Sequence, residues 1–319
     1  MKAIRLHRVG SPEDALRIDD VAVPAPGDGQ VLIKLAAAGV NFADVGRRMG
    51  IYPVAEFPTM LGLEGAGIIE AVGAGVRSFK VGDRVLAVAV PYSYAEYTLG
   101  SEQATFAMPE NMSMEEAASV GIVFLTAWHC LVTAAKAKAG ESVLVHAAGS
   151  GCGVAAIQIA KHLGLRVLTT ASTDHKLEKA KALGADDVIN YRSSDFVTET
   201  MRLTGDRGVD IVLDGIGGTT LVQSLRCMSF AGRLITYGKA GGSDKAQLDP
   251  AVLWGANATI TGISVGTLDR SAFNDVLALF RSGKLKPVID KVYPLEDAAE
   301  AHHYLQDRKV FGKVVLRVM

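Results

Sequence analysis

The stretch His146-Ala147-Ala148-Gly149-Ser150-Gly151-Cys152-Gly153-Val154 joins a short apolar run to an amphipathic one. Glycines and small residues at a strand-to-helix junction let the backbone approach a diphosphate closely. The first amides of the helix then point at that group, and the positive end of the helix dipole favours its charge. Ala148 and Ser150 stand where the strict G-x-G-x-x-G pattern has glycines. The competing reading is an ordinary tight turn between strand and helix. On the first reading Ser150, Gly151, Cys152 and Gly153 hold the diphosphate of a dinucleotide.

A second cluster separates two dinucleotides. NAD-binding folds place an acid about 20 residues past the glycines, against the ribose 2′-hydroxyl. Here the strand ends Thr170-Ala171-Ser172-Thr173, without an acid at its tip, and Lys176 follows. A lysine with hydroxyls suits a ribose 2′-phosphate, which a carboxylate would repel. Asp174 has two readings: it caps the next helix, or it faces the ribose and favours NAD. The balance points to NADPH, with Ser172 and Lys176 at the phosphate.

Such clusters need a frame. Residues 1 to about 110 are rich in Gly, Pro and Val, with short β-like runs at 31–35, 67–72 and 84–88. Turn signals at 26–29 and 81–83 separate them, as in a barrel or sandwich. From about 140 the rhythm becomes strand then helix: strands at 142–146, 166–171, 187–189, 209–213 and 233–237, helices at 154–163 and 174–183. This alternation argues for an α/β fold with a doubly wound parallel sheet. The tail carries helices at 270–282 and 295–307 and a closing strand at 312–318. The expected division is 1–119 with 265–319 as one domain, interrupted by 120–264 as the dinucleotide-binding domain.

Composition narrows the function classes. Lys plus Arg (33) nearly equals Asp plus Glu (34), so no global field attracts nucleic acid or anionic lipid. Three cysteines, Cys130, Cys152 and Cys227, form no CxxC pair, which fits a reducing, cytoplasmic location. The start, Met1-Lys2-Ala3-Ile4-Arg5-Leu6, alternates like a strand and is not a signal peptide. The uncharged run 117–135 approaches membrane-spanning length, but its Ala, Ser, Thr, Gly and His content predicts a buried helix and no membrane association.

A family resemblance rests on an ordered set of motifs. These are Asn41-Phe42-Ala43-Asp44, Gly50-Ile51-Tyr52-Pro53, Gly62-Leu63-Glu64-Gly65-Ala66-Gly67, Val81-Gly82-Asp83-Arg84-Val85, the 147–153 loop, and Gly312-Lys313-Val314-Val315-Leu316. Together they resemble the medium-chain dehydrogenase/reductase superfamily, in its zinc-free quinone oxidoreductase branch. Zinc members use a cysteine where this chain has Asn41 and a histidine where it has Leu63. Neither side chain here supplies a thiolate or imidazole. His302-His303 offers no site either, since neighbouring helical residues point apart.

The resemblance implies a Rossmann domain and a GroES-like β-barrel catalytic domain. It implies hydride transfer from NADPH to a quinone or another electron-poor acceptor held in a cleft between them. Asn41 and Tyr52 would line the acceptor site. Asn41 would donate its amide or only cap a helix, and Tyr52 would donate a hydrogen bond or only pack against Pro53. Thr126 would lie near the nicotinamide, with Gly238, Lys239, Ile263 and Val265 along its side, and Gly312 and Lys313 close by. Tyr191 would join Ser172 and Lys176. Glu64 would form a buried ion pair or hydrogen bond rather than act in catalysis. A homodimer would form through the strand at 258–265. The family's second tyrosine is missing, because the chain reads Asp44-Val45-Gly46-Arg47. That keeps open reduction of enones or enoyl thioesters. A non-catalytic role in NADPH or RNA binding, or as a structural protein, is the alternative of another class.

Overall fold

A computed structural model describes residues 1–90, 92–242, 245–264 and 269–318. The chain forms two compact units, Met1–Leu125 with Val265–Met319, and Thr126–Ser264. The strands in chain order are β1 (Lys2–Leu6), β2 (Leu16–Asp20), β3 (Gln30–Val40), β4 (Thr59–Met60), β5 (Glu64–Val72), β6 (Arg84–Val88), β7 (Tyr97–Ser101), β8 (Thr105–Ala107), β9 (Ser142–Val145), β10 (Arg166–Ala171), β11 (Asp187–Asn190), β12 (Val209–Asp214), β13 (Met228–Thr236), β14 (Thr259–Gly262), β15 (Ile289–Pro294) and β16 (Lys313–Arg317). The α-helices are α1 (Pro12–Ala15), α2 (Phe42–Arg48), α3 (Met114–Ala118), α4 (Gly121–Trp128), α5 (Gly151–His162), α6 (Asp174–Ala182), α7 (Phe196–Leu203), α8 (Gly218–Ser224), α9 (Pro250–Ala256), α10 (Arg270–Arg281) and α11 (Ala298–Gln306).

In the first unit, β3 organises the larger sheet. Its order is β15-β16-β3-β5-β6-β8, with β7 also on β3. The first part of β3, 30–34, pairs with β7, and the last part, 37–40, pairs with β16. One long strand thereby ties the C-terminal tail to the N-terminal half. Val31, Ile33, Leu35, Ile69, Val85 and Ala87 bury the apolar face this pairing creates. Burial of these side chains, at about 25 cal/mol per Å² of apolar surface, stabilises the sheet.

In the second unit all six strands are parallel, in the order β11-β10-β9-β12-β13-β14. Every residue of β9 is buried, as a strand covered on both faces requires. The first strand of this unit, β9, stands between β10 and β12. Strand order reverses there, and ligands of such sheets bind beyond the carboxyl ends at this point.

Several element boundaries differ from the sequence reading. Helix α5 starts at Gly151 rather than 154, because Ser150 caps it by accepting the Gly153 N–H at 2.9 Å. Thr173, not Asp174, caps α6; Thr173 has the extended backbone a cap needs, and Asp174 is already helical. The run 117–135 is not one helix. It breaks into α3, α4 and a π-helical turn at His129–Ala134, and among the described residues no helix is long and apolar enough to cross a membrane. The strand expected at 258–265 covers only Thr259–Gly262, and Val265 lies outside the described residues. The first join between units falls inside α4, between Leu125 and Thr126, later than the expected 119–120.

His146 closes β9 and is buried, with Nδ1 at 3.1 Å from Thr170 Oγ1 and Nε2 at 2.8 Å from Ser224 Oγ. Burial pushes its imidazole down to about 4. The unfolded chain therefore binds the proton first as pH falls, so stability declines from about pH 6.5 and levels off near pH 4. A shift of this size corresponds to a loss on the order of 3 kcal/mol. Urea unfolding across pH 4–7 should show the wild type losing about that much more stability than His146→Gln between pH 7 and pH 4.

Candidate active site

The carboxyl edge of the parallel sheet collects most of the expected cofactor residues. After β9 the chain turns through Ala147, in the left-handed region at φ 59°, into the α5 cap. A Cβ on Gly153 would lie 2.2 Å from the Ala147 carbonyl oxygen, so only glycine lets α5 press against this loop. The Ala148 N–H donates to the Thr170 carbonyl at 2.9 Å and anchors the loop on β10. Ser150, Gly151, Cys152 and Gly153 thus form the first turn of a helix at the reversal of strand order.

The neighbouring strand ends add the second cluster. The Tyr191 N–H donates to the Ala171 carbonyl at 3.1 Å, which sets Tyr191 beside Ser172 at adjoining strand tips. Lys176 follows in the first turn of α6, its N–H donating to Thr173 Oγ1 at 3.4 Å. Asp174 accepts from Asn190 Nδ2 at 2.8 Å. Its carboxylate is therefore tied to the end of β11 instead of capping the helix.

On the other side of β9, Asp214 ends β12 fully buried and accepts the N–H groups of Ile216 at 2.8 Å and Gly217 at 3.1 Å. Burial raises its carboxyl despite these bonds. The loop after β13 zips onto this one: Ala240 N–H reaches the Gly215 carbonyl and Gly241 N–H the Ile216 carbonyl, both at 2.9 Å. A cavity of about 100 Å³ opens between the loops, lined by Ile216, Gly217, Gly218, Thr219, Thr220, Gly241 and Gly242. Gly238 and Lys239 belong to the same loop pair, and Ile263 sits next to them, its N–H donating to the Thr236 carbonyl at 2.9 Å. Asp214 escaped the sequence reading. Its only signal was an acid at a strand end before Gly215-Ile216-Gly217-Gly218. Thr126 is buried in α4.

The first unit holds a buried polar network. Pairing of Val314 with Val40 sets Lys313 next to Asn41, 272 residues away in sequence. The Lys313 Nζ donates to Val40 O at 2.9 Å, Asn41 Oδ1 at 2.8 Å and Glu64 Oε1 at 2.8 Å. Asn41 Nδ2 donates to Glu64 Oε1 at 2.9 Å and to Gly39 O at 3.4 Å, while Glu64 Oε2 accepts the Ile122 N–H at 2.8 Å. All three side chains are buried. Two expectations are corrected here. Lys313, expected close to the cofactor with Gly312, has its three ammonium donors used inside the unit. Asn41 does not offer its amide to a substrate oxygen, because a buried ammonium and carboxylate take both ends of it. Glu64 has the expected buried ion pair.

Behind this network lies a second group. Asp44 accepts from Asn41 N and Gly62 N, each at 3.1 Å, and from the Tyr94 hydroxyl at 3.4 Å. Burial is the main influence on Asp44 and pushes its carboxyl up to about 6. Tyr94 Oη is also 3.3 Å from Nε2 of His302, whose burial lowers it to about 3. His303 points elsewhere and pairs with Glu13. Among the described residues no group of three His, Cys, Asp or Glu side chains could hold a metal ion. Tyr52 is half-buried next to α2, its N–H donating to the Gly46 carbonyl at 3.2 Å.

Removing one member of a buried ion pair strands the other charge and costs about 3–5 kcal/mol. Lys313→Met should destabilise the protein by that amount in urea unfolding. Lys313→Met with Glu64→Gln should recover much of the loss, because no unpaired buried charge remains.

Residues 27–123 match the family model for the alcohol dehydrogenase GroES-like domain, and residues 183–316 match that for the zinc-binding dehydrogenase. A quinone oxidoreductase of Sus scrofa is 37% identical over 99% of this chain and 97% of its own length. Two solved structures superpose closely. One, described as an NAD-dependent alcohol dehydrogenase, has a TM-score of 0.93 at 38% identity over the whole of both chains. The other, the Escherichia coli quinone oxidoreductase complexed with NADPH, has a TM-score of 0.94 at 31% identity, also over both whole chains. With Asn41 and Leu63 in place of zinc ligands, and similarity to the quinone oxidoreductases along nearly its full length, the chain belongs to the medium-chain dehydrogenase/reductase superfamily of oxidoreductases, in the zinc-free quinone oxidoreductase branch.

Proposed function

We propose that this protein is a zinc-independent, NADPH-dependent oxidoreductase that reduces a quinone or a similar electron-poor conjugated acceptor. The observation that carries the cofactor is the acid-free tip of β10. There Ser172, Lys176 and Tyr191 border one strand end next to the 147–153 loop, at the reversal of strand order. Gly153 fits the same reading, since its missing Cβ keeps the loop tight enough for a diphosphate to meet backbone amides. The NADPH named for the Escherichia coli structure supports it further.

When bound, NADPH supplies a hydride from its nicotinamide. The chain's own residues bind and orient it: Ser150, Gly151, Cys152 and Gly153 at the diphosphate, Ser172, Lys176 and Tyr191 at the 2′-phosphate, and Thr126, Gly238, Lys239 and Ile263 toward the nicotinamide. Reduction of a quinone to a quinol also takes up one proton beside the hydride, and Tyr52 is the residue that hydrogen-bonds the acceptor. An acceptor that takes hydride readily needs no Lewis acid, which suits a chain with Asn41 and Leu63 at the zinc-ligand positions. Reduction of an enone is the second reading, favoured by the stretch Asp44-Val45-Gly46-Arg47, which lacks the further tyrosine the branch often has. Assaying NADPH oxidation with a benzoquinone and with an enone decides between them, and turnover of neither would overturn both.

Lys176→Ala should weaken NADPH binding about 10- to 100-fold, the worth of a charge-assisted hydrogen bond, and barely change NADH. Fluorescence titration with both nucleotides reads this, and equal losses would remove Lys176 from the phosphate site.

The protein is proposed to work as a homodimer in the cytoplasm. Strand β14 lies at the sheet edge, paired with β13 on one side. Phe230 and Trp254 are 76% and 77% exposed in the same unit. A second copy along this edge would cover an open strand and large apolar side chains. Light scattering should give about twice the chain mass, and Trp254→Glu should shift the population toward monomer.

A further inference from the structure

Helix α2 carries a glycine, Gly46, in its interior, although glycine is the poorest helix former after proline. The reason lies in the segment that follows. Gly50, at φ 74°, turns the chain back, and the Gly46 carbonyl accepts the N–H groups of Ile51 at 2.8 Å and Tyr52 at 3.2 Å. The returning arc lays the Tyr52 ring on the bare edge of the helix. A Cβ on residue 46 would lie 2.5 Å from Tyr52 Cδ2 and 2.6 Å from Cε2, distances that real Cβ contacts do not reach. An alanine would therefore displace the ring or open the arc.

We infer that Gly46 is a positioning residue: by leaving α2 bare it seats the Tyr52 phenol, and through that phenol it sets which acceptors the enzyme prefers. This rests on the reading of Tyr52 as the acceptor's hydrogen-bonding partner. The seat itself follows from packing alone.

The test is a double-mutant cycle on Gly46→Ala and Tyr52→Ala, with kcat and KM measured for a benzoquinone and an enone and NADPH affinity measured separately. Residues in contact couple strongly, so Gly46→Ala should lower kcat/KM for the quinone about ten-fold with Tyr52 present and less than about two-fold in the Tyr52→Ala background. The quinone-to-enone preference should change in the first case only, and NADPH affinity should stay within about two-fold. An equal loss in both backgrounds would overturn the inference while leaving the quinone reading intact. Wild-type protein that binds NADPH but reduces no acceptor would instead overturn the proposed function, and this inference with it. Should Gly46→Ala alone not fold, the double variant must restore folding and Tyr52→Ala alone must lower quinone kcat/KM. Failure of either would overturn the inference.

Discussion

A single buried ammonium holds the first unit in register. Lys313 brings a full positive charge into a region without solvent, and a charge in that setting persists only if paired and hydrogen-bonded. Glu64 supplies the opposite charge, and Asn41 and Val40 supply the remaining acceptors. Three distant stretches of chain meet at that nitrogen: β16, the start of β5, and the junction of β3 with α2. Because Glu64 also accepts the Ile122 N–H, the same pair fixes the first turn of α4. The α2 segment that carries Gly46 starts one residue after Asn41, so its orientation depends on this cage as well.

The second unit follows a different logic. The centre of its sheet is buried on both faces, and the candidate cofactor residues gather at one edge, where loops leave the strand ends. Two devices shape that edge. Gly153 removes a side chain so that α5 can close on the loop before it, and Asp214 gathers the amides of the loop after β12. His146 anchors the start of the 147–153 loop to Thr170 and Ser224 while staying neutral. These are internal bonds, made before any ligand arrives, and they preorganise the backbone that would meet a diphosphate.

Much of the dinucleotide unit was legible in the residue order. Strand–helix alternation with glycine-closed helices left few alternatives, and the loop at 147–153 stood out by its place between a strand and a helix. The caps were harder to read. Ser150 caps α5 one turn before the start read from the sequence, because the glycines after it hide the first helical turn, and Thr173 caps α6 where Ser172 and Asp174 compete beside it. The run at 117–135 showed only its hydrophobicity. Its break at Ser119–Val120 and its π-helical end come from packing, not from any proline or glycine pair that a reader could flag.

By itself the sequence determined the fold class, the absence of zinc ligands at positions 41 and 63, and the acid-free end of β10, because each depends on residue type or short-range spacing. Only the tertiary structure decided the fates of Asn41, Lys313 and Tyr52. Whether an amide, an ammonium or a phenol is open to a ligand depends on partners that arrive from far along the chain, such as Glu64 and β16, or on a missing methyl group beneath a ring, as at Gly46. Local spacing carries no record of those encounters, since burial and long-range pairing assign the hydrogen bonds.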